Sequence, residues 1–169
     1  METFENLFSR RSIRKFEKRE IEDEKIELML KAAMSAPSGM NRQPWFFYVV
    51  KDAETRKQII NAMPFGKYDS PVIIIPCFRE AATIPLMHDL AYCDLGAATN
   101  NILLAANDLG LGAVWCAVYP GKPLMSSIKK ILKMPVGTKP FSAIYVGYPS
   151  SEDKGQVKDK YDTKKVRII

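Results

Sequence analysis

A chain of 169 residues, 47% hydrophobic and 26% charged, has the length and apolar content for one globular domain with a full core, and too little for two. Its 25 Lys+Arg against 19 Asp+Glu give a formal charge of +6. The basic residues gather near both ends but are interleaved with acids, and no helix-turn-helix, zinc-finger or RNA-binding pattern accompanies them, so a nucleic-acid partner is not expected. One histidine, His88, and three scattered cysteines, Cys77, Cys93 and Cys116, argue against a metal site and for buried thiols in a reducing, cytoplasmic setting. The acidic start and strand-length apolar runs argue against a signal peptide and a membrane span.

Residues 3–9 read as a short helix with Phe4, Leu7 and Phe8 on one side, followed by Arg10-Arg11-Ser12-Ile13-Arg14-Lys15-Phe16. The alternation at Ser12-Ile13-Arg14 predicts extended backbone with Ser12 and Arg14 on one face. This basic stretch reads equally as a solvated turn anchored by Ile13 and Phe16, or as guanidinium donors for a phosphate and carbonyl oxygens. Residues 22–36 have helical spacing at Ile26, Met29, Leu30, Ala33 and Met34, with acids in the first turns and Pro37 at the end. Pro37-Ser38-Gly39-Met40-Asn41-Arg42-Gln43-Pro44-Trp45 is a rigid polar loop, held extended before its prolines. It is either an ordinary helix-to-strand connection or a place where amides and exposed N–H groups meet a polar ligand.

Trp45–Val50 is too apolar throughout for an exposed edge strand. A helix over 53–62, a buried strand over 71–77 and the longest periodic segment, 88–109, follow. That segment is apolar around most of its circumference and belongs in a core or at a subunit interface; His88 starts it. Strands over 113–118 and 141–148 flank a short helix over 124–132. In the last strand Ala143, Tyr145 and Gly147 share one face, and Ser142, Ile144, Val146 and Tyr148 the other. Beyond Pro149 the composition predicts a poorly ordered tail.

Taken together, Arg10–Arg14, Pro37–Trp45, Asp94–Ala106, Leu109–Trp115 and Val146–Pro149 resemble, in order and spacing, the nitroreductase family of FMN-dependent oxidoreductases. The resemblance implies an α+β fold with a mixed, mostly antiparallel sheet flanked by helices, in an obligate homodimer holding FMN at the subunit interface. Residues 1–169 would form one domain, with 150–169 a C-terminal tail reaching the partner subunit. It further implies ping-pong transfer of hydride from NADH or NADPH through flavin N5 to a small acceptor such as a nitroaromatic or quinone, with no catalytic side chain required. An FMN-binding or redox-sensing protein without turnover is the alternative.

Carried over by position, Arg10, Arg11 and Ser12 would meet the FMN phosphate and ribityl chain, and Arg14 the N1/O2 edge of the ring. Pro37, Ser38, Gly39 and Asn41 would come from the partner subunit. The backbone N–H groups around Cys116 and Ala117 would face N5 and O4. Lys158 and Lys160 would supply the tail's phosphate charges. Three positions depart from the family pattern: Gly39 where Ser is frequent, Ala117 where Gly is common, and Lys160 where Arg is usual. Arg42 and Lys122 are candidates for contacting the nicotinamide nucleotide.

Overall fold

The computed structural model describes residues 2–169 apart from Lys154 and Lys158. Its elements in order are α1 (Thr3–Ser9), α2 (Asp23–Met34), β1 (Trp45–Val50), α3 (Ala53–Ala62), β2 (Val72–Arg79), α4 (Leu90–Asp108), β3 (Gly112–Ala117), α5 (Lys122–Ile131), β4 (Thr138–Pro140) and β5 (Ser142–Gly147). Single 3₁₀ turns lie at Gly39–Asn41, Glu80–Ala82 and Thr163–Lys165. No helix among the described residues is long and apolar enough to cross a membrane.

The sheet runs β1-β2-β5-β3, with β4 continuing the β5 side of β2. All four ladders are antiparallel. The parallel component expected of a mixed sheet is confined, among the described residues, to the isolated Ser12–Ala113 bridge. Alternation along β2 sends successive residues into two cores. Val72 and Ile74 join Ile144 and Val146 beneath α2 and α4, through Met29, Ala33, Ala98 and Ile102. Ile73 and Ile75 join Val114 and Tyr145 on the opposite face, against Ile59 of α3 and Ile128 of α5. Burying such an aliphatic side chain stabilises by about 1.5–3 kcal/mol, so the continuous run in β2, with helices on both faces, fixes the sheet's centre.

Several expectations are corrected. β1 is an edge strand, pairing with β2 alone among the described residues. An apolar run reports that both faces are covered, not that both flanks are paired. Here Trp45, Phe47 and Val49 pack on the α2/α4 side and Tyr48 and Val50 on the other, while the Arg79 guanidinium covers the half-exposed Phe46 ring at 4.6 Å. The strand expected over 141–148 is present as β5, but it is preceded by a short strand not expected, β4, separated from it by one extra residue at Phe141. The Phe141 N–H donates to the Pro76 carbonyl, and its own carbonyl accepts from the Val118 and Tyr119 N–H groups at 3.1 and 2.9 Å. The bulge therefore pins the chain leaving β3.

The long helix α4 buries one side only: Ala91, Asp94, Leu95, Ala98, Thr99, Ile102, Leu103 and Ala106. Cys93 and Asn100 on the other side are exposed, so Cys77 is the one fully buried thiol and Cys116 is half-buried. The tail does not leave the body at Pro149: Phe16 bridges to Pro149, and the Ser150 N–H donates to the Lys15 carbonyl at 3.0 Å.

Candidate functional site

The basic stretch after α1 is held straight by the sheet's edge. Ile13, 6% exposed, donates its N–H to the Ala113 carbonyl at 3.0 Å. It lies flat on Gly112, where an added Cβ would stand 2.6 Å from the Ile13 side chain. With Ile13 turned inward, its neighbours Ser12 and Arg14 share the opposite face, as the alternation predicts. Arg14 also comes near the end of β3: burial pushes the Cys116 thiol up in pKa, and the Arg14 charge pulls it the other way.

Facing this stretch is the tail. Asp153, whose side chain is 8% exposed, accepts from the Arg14 N–H at 2.7 Å and the Lys15 N–H at 3.2 Å, and pairs with the Arg11 guanidinium. Arg11 also donates to the Asp153 carbonyl at 3.1 Å. Burial raises the Asp153 pKa, but the Arg14, Arg11, Gly155 and Lys15 donors outweigh it and hold the carboxyl far below the usual carboxylate range. The clamp folds the tail back over the basic stretch, enclosing a cleft of about 830 Å³. One wall is Leu7 and Phe8 of α1 with Arg10, Arg11, Ser12 and Arg14; the other is Gly155–Val157 and Asp159–Tyr161.

The cleft therefore brings together Arg10, Arg11, Ser12, Arg14 and Lys160 of the expected set; Lys158 lies outside the described residues. Arg11 lines the cleft and its guanidinium also pairs with Asp153, which holds the second wall. Arg10 and Arg14 on one wall and Lys160 on the other share the cleft with one carboxylate among its described lining residues, Asp159. A phosphate monoester carries roughly −1.5 to −2 charges, which such cations can balance. Leu7, Phe8, Val157 and Tyr161 supply apolar surface beside them, and the volume is that of an ordinary cofactor pocket. The donor set thus fits FMN.

Pro37, Ser38, Gly39 and Asn41 do not line this cleft, and neither do Cys116 and Ala117. The loop is rigid: Met40, Asn41 and Gln43 hold positive φ of 51°, 52° and 48°, a region uncommon for non-glycine residues. The Ser38 hydroxyl accepts from the Gln43 N–H and the Asn41 side-chain carbonyl from the Gln43 amide, both at 3.0 Å. The Gly39 N–H donates to the Asp94 carboxylate at 3.0 Å, which ties the loop to α4. A Cβ at Gly39 would stand 3.2 Å from the end of the Ile84 side chain, a close contact that Ile84 would have to accommodate. Arg42 donates to the Ala82 and Thr83 carbonyls, both at 3.3 Å, so its guanidinium braces the 37–43 loop against the turn after β2. Among the described residues no His, Cys, Asp and Glu cluster could hold a metal ion.

Two residues that sequence reasoning passed over organise the site, Asp94 and Asp153. Asp94 carried a signal, an acid within an apolar helix, and buried acids are rare unless paired. Asp153 stood in a polar tail with nothing to mark it.

A model of the nitroreductase family matches residues 7–64 and 65–148. A protein of Archaeoglobus fulgidus, provisionally named NADH dehydrogenase/NAD(P)H nitroreductase, is 39% identical over 169 residues, covering 98% of this chain and 96% of its own. A solved structure from Bacteroides thetaiotaomicron with the same provisional name has a TM-score of 0.89 at 40% identity, covering 98% of this chain and 95% of the other. A provisionally named nitroreductase of Desulfovibrio desulfuricans, crystallised in complex with FMN, has a TM-score of 0.76 at 28% identity, covering 93% and 91%.

Proposed function

This chain belongs to the nitroreductase family, and from that premise we propose that it is an FMN-dependent oxidoreductase, taking electrons from NADH or NADPH and passing them to a small acceptor such as a nitroaromatic or a quinone. The observation that carries the reading is the cleft in which Arg10, Arg14 and Lys160 meet an apolar wall. Bound FMN would supply the redox chemistry, relaying the electrons of the nicotinamide to the acceptor.

The protein's part is position and electrostatics. Arg10 and Lys160 would hold the phosphate, with Lys158 as a further tail cation, and Ser12 would offer its hydroxyl to the phosphate or ribityl chain. Arg14, whose charge reaches Cys116, would set positive charge at the pyrimidine edge of the ring, and the N–H groups of Cys116 and Ala117 would face the ring's reacting edge. Arg11 acts through Asp153 by keeping the tail wall in place. Pro37, Ser38, Gly39 and Asn41 close the site from the second subunit of a homodimer, with the tail from residue 150 reaching across it.

The purified protein's visible spectrum, followed by identification of any flavin released on denaturation, tests the cofactor. About one FMN per chain, with NADH or NADPH oxidation by menadione well above the rate of free FMN, is the expected result. A colourless protein that fails to bind added FMN would refute the reading, and FMN binding without turnover would leave a flavin-binding protein instead of an enzyme.

A further inference from the structure

The chain's positive charge has a location that its ends conceal. Residues 1–108 carry 14 basic and 15 acidic side chains, whereas residues 109–151 carry five lysines, Lys122, Lys129, Lys130, Lys133 and Lys139, and no Asp or Glu. Four of the five lie on α5 or at its end. Leu124, Met125, Ile128 and Ile131 turn the helix's apolar side into the core, so the 3.6-residue period places the lysines outward. Lys122, Lys130 and Lys133 are exposed. Among the described residues the acid paired with this face is Glu80, at 2.5 Å from Lys139 and within reach of Lys129; Lys122, Lys130 and Lys133 keep the face positive.

The lysine face also adjoins the end of β3. α5 follows Ala117 through Val118–Gly121, and Tyr119 in that connection stacks on Tyr92 of α4 with ring centroids 3.6 Å apart. Glu80, at the edge of the lysine face, lies within the electrostatic reach of Tyr92. The lysines, the aromatic pair and the Cys116–Ala117 end of β3 thus form one continuous region.

We infer that the α5 lysine face is a docking surface for an acidic one-electron carrier protein that serves as an electron acceptor, an inference resting on the oxidoreductase reading above. Lysine ammonium groups are mobile point charges without the planar fork of arginine. They suit a steered, salt-sensitive encounter with a carboxylate-rich surface, of the small kind typical of redox partners. Each NAD(P)H oxidised to NAD(P)⁺ yields two electrons and one proton. Two carrier molecules in succession each take one electron, and the proton goes to solvent.

The test uses the FMN-loaded protein with an acidic rubredoxin as carrier and menadione as neutral small acceptor, comparing the native chain with Lys130→Glu/Lys133→Glu. Carrier binding is measured separately, without reductant. The inference expects the native protein to reduce the carrier with a kcat/KM that falls with salt. It also expects the double variant to lose about tenfold or more in carrier binding and kcat/KM at low ionic strength, with menadione reduction unchanged. Menadione reduction with a carrier that is neither bound nor reduced, or whose reduction ignores salt and the variant, overturns this inference and leaves the oxidoreductase reading standing. Failure with both acceptors overturns both. Salt-sensitive binding of duplex DNA without binding of the carrier overturns the inference in favour of nucleic acid.

Discussion

Asp153→Asn isolates what the tail clamp contributes. The native carboxylate accepts from the Arg14, Lys15 and Gly155 N–H groups at 2.7, 3.2 and 3.3 Å, besides the Arg11 guanidinium. The amide keeps one acceptor oxygen and turns an NH₂ donor toward donors. A hydrogen bond to a charged group is worth about 1.5–3 kcal/mol; a loss of ~2 kcal/mol is a factor of about 30 in an equilibrium. Because Asp153 anchors a peripheral segment and touches neither core, the loss falls on local opening of the tail and not on global unfolding. Amide hydrogen exchange at pH 7 should then be about 30-fold faster in the variant at Arg14, Lys15 and Gly155, whose N–H groups the carboxylate holds, with α4 amides unchanged. The sign of the pH dependence follows from the depressed native pKa of Asp153. A carboxyl held below its unfolded value of about 3.9 contributes stability fully above that pH, and the contribution is lost as pH falls through the native pKa. Protection of these three amides in the native chain should therefore decline only below about pH 4, and the variant should lack that decline. Native-like exchange at Arg14, Lys15 and Gly155 in Asp153→Asn would refute the clamp.

Gly112→Ala places a Cβ 2.6 Å from Ile13, whose β-branched side chain cannot swing aside. A cost of about 1–3 kcal/mol should lower Tm by several degrees and also reduce FMN retention, since Ser12 and Arg14 move with Ile13; a variant with native Tm and FMN content would show that the edge tolerates displacement. Arg10→Ala and Lys160→Ala should each weaken FMN binding by roughly 10–100-fold, the equivalent of one charge-assisted contact, in fluorescence titrations of apoprotein whose Tm is unchanged. Unaltered affinity in both would put the phosphate elsewhere. With Ellman's reagent at pH 8, Cys77, whose thiol burial pushes up to about 12, should react only after unfolding, and labelling of Cys77 in the folded protein, located by peptide mass, would contradict its burial.

The elements whose pattern is set by their own burial were legible. The run in β2, the heptad-like spacing of α2 and the alternation of β5 each reflect contact with a core, and core contact is written in hydrophobicity. What depends on a distant partner was not. β1 reads as interior because side-chain polarity reports on faces, while edge position is a matter of backbone pairing. β4 was hidden because Thr138-Lys139-Pro140 has no apolar alternation and its pairing is separated from that of β5 by a bulge. In the site, the arginine-rich stretch announced itself by composition, and the cleft does gather Arg10, Arg14 and Lys160. The pairing of Arg11 was not legible, because its partner Asp153 is 142 residues away and nothing local marks an arginine as already paired.

The same asymmetry bears on why one chain holds only part of the proposed site. The cleft supplies cations for a phosphate and apolar surface beside it, whereas the 37–43 loop spends its amides on its own hydrogen bonds and on Asp94. Asp94 lies within α4, the helix whose outer side carries Cys93 and Asn100 exposed and Gly96, Ala97 and Leu104 only partly covered. A loop braced against that helix is fixed relative to whatever packs on its outer side. Small residues there allow close approach of another backbone, and the strained φ values of Met40 and Asn41 are of the sort that persist where geometry is set in advance for a ligand. In the proposed homodimer the rigid loop would be carried by α4 to the partner's cleft, so that the tail clamp and the loop brace, two carboxylates on opposite parts of the chain, would each fix one wall of a shared flavin site.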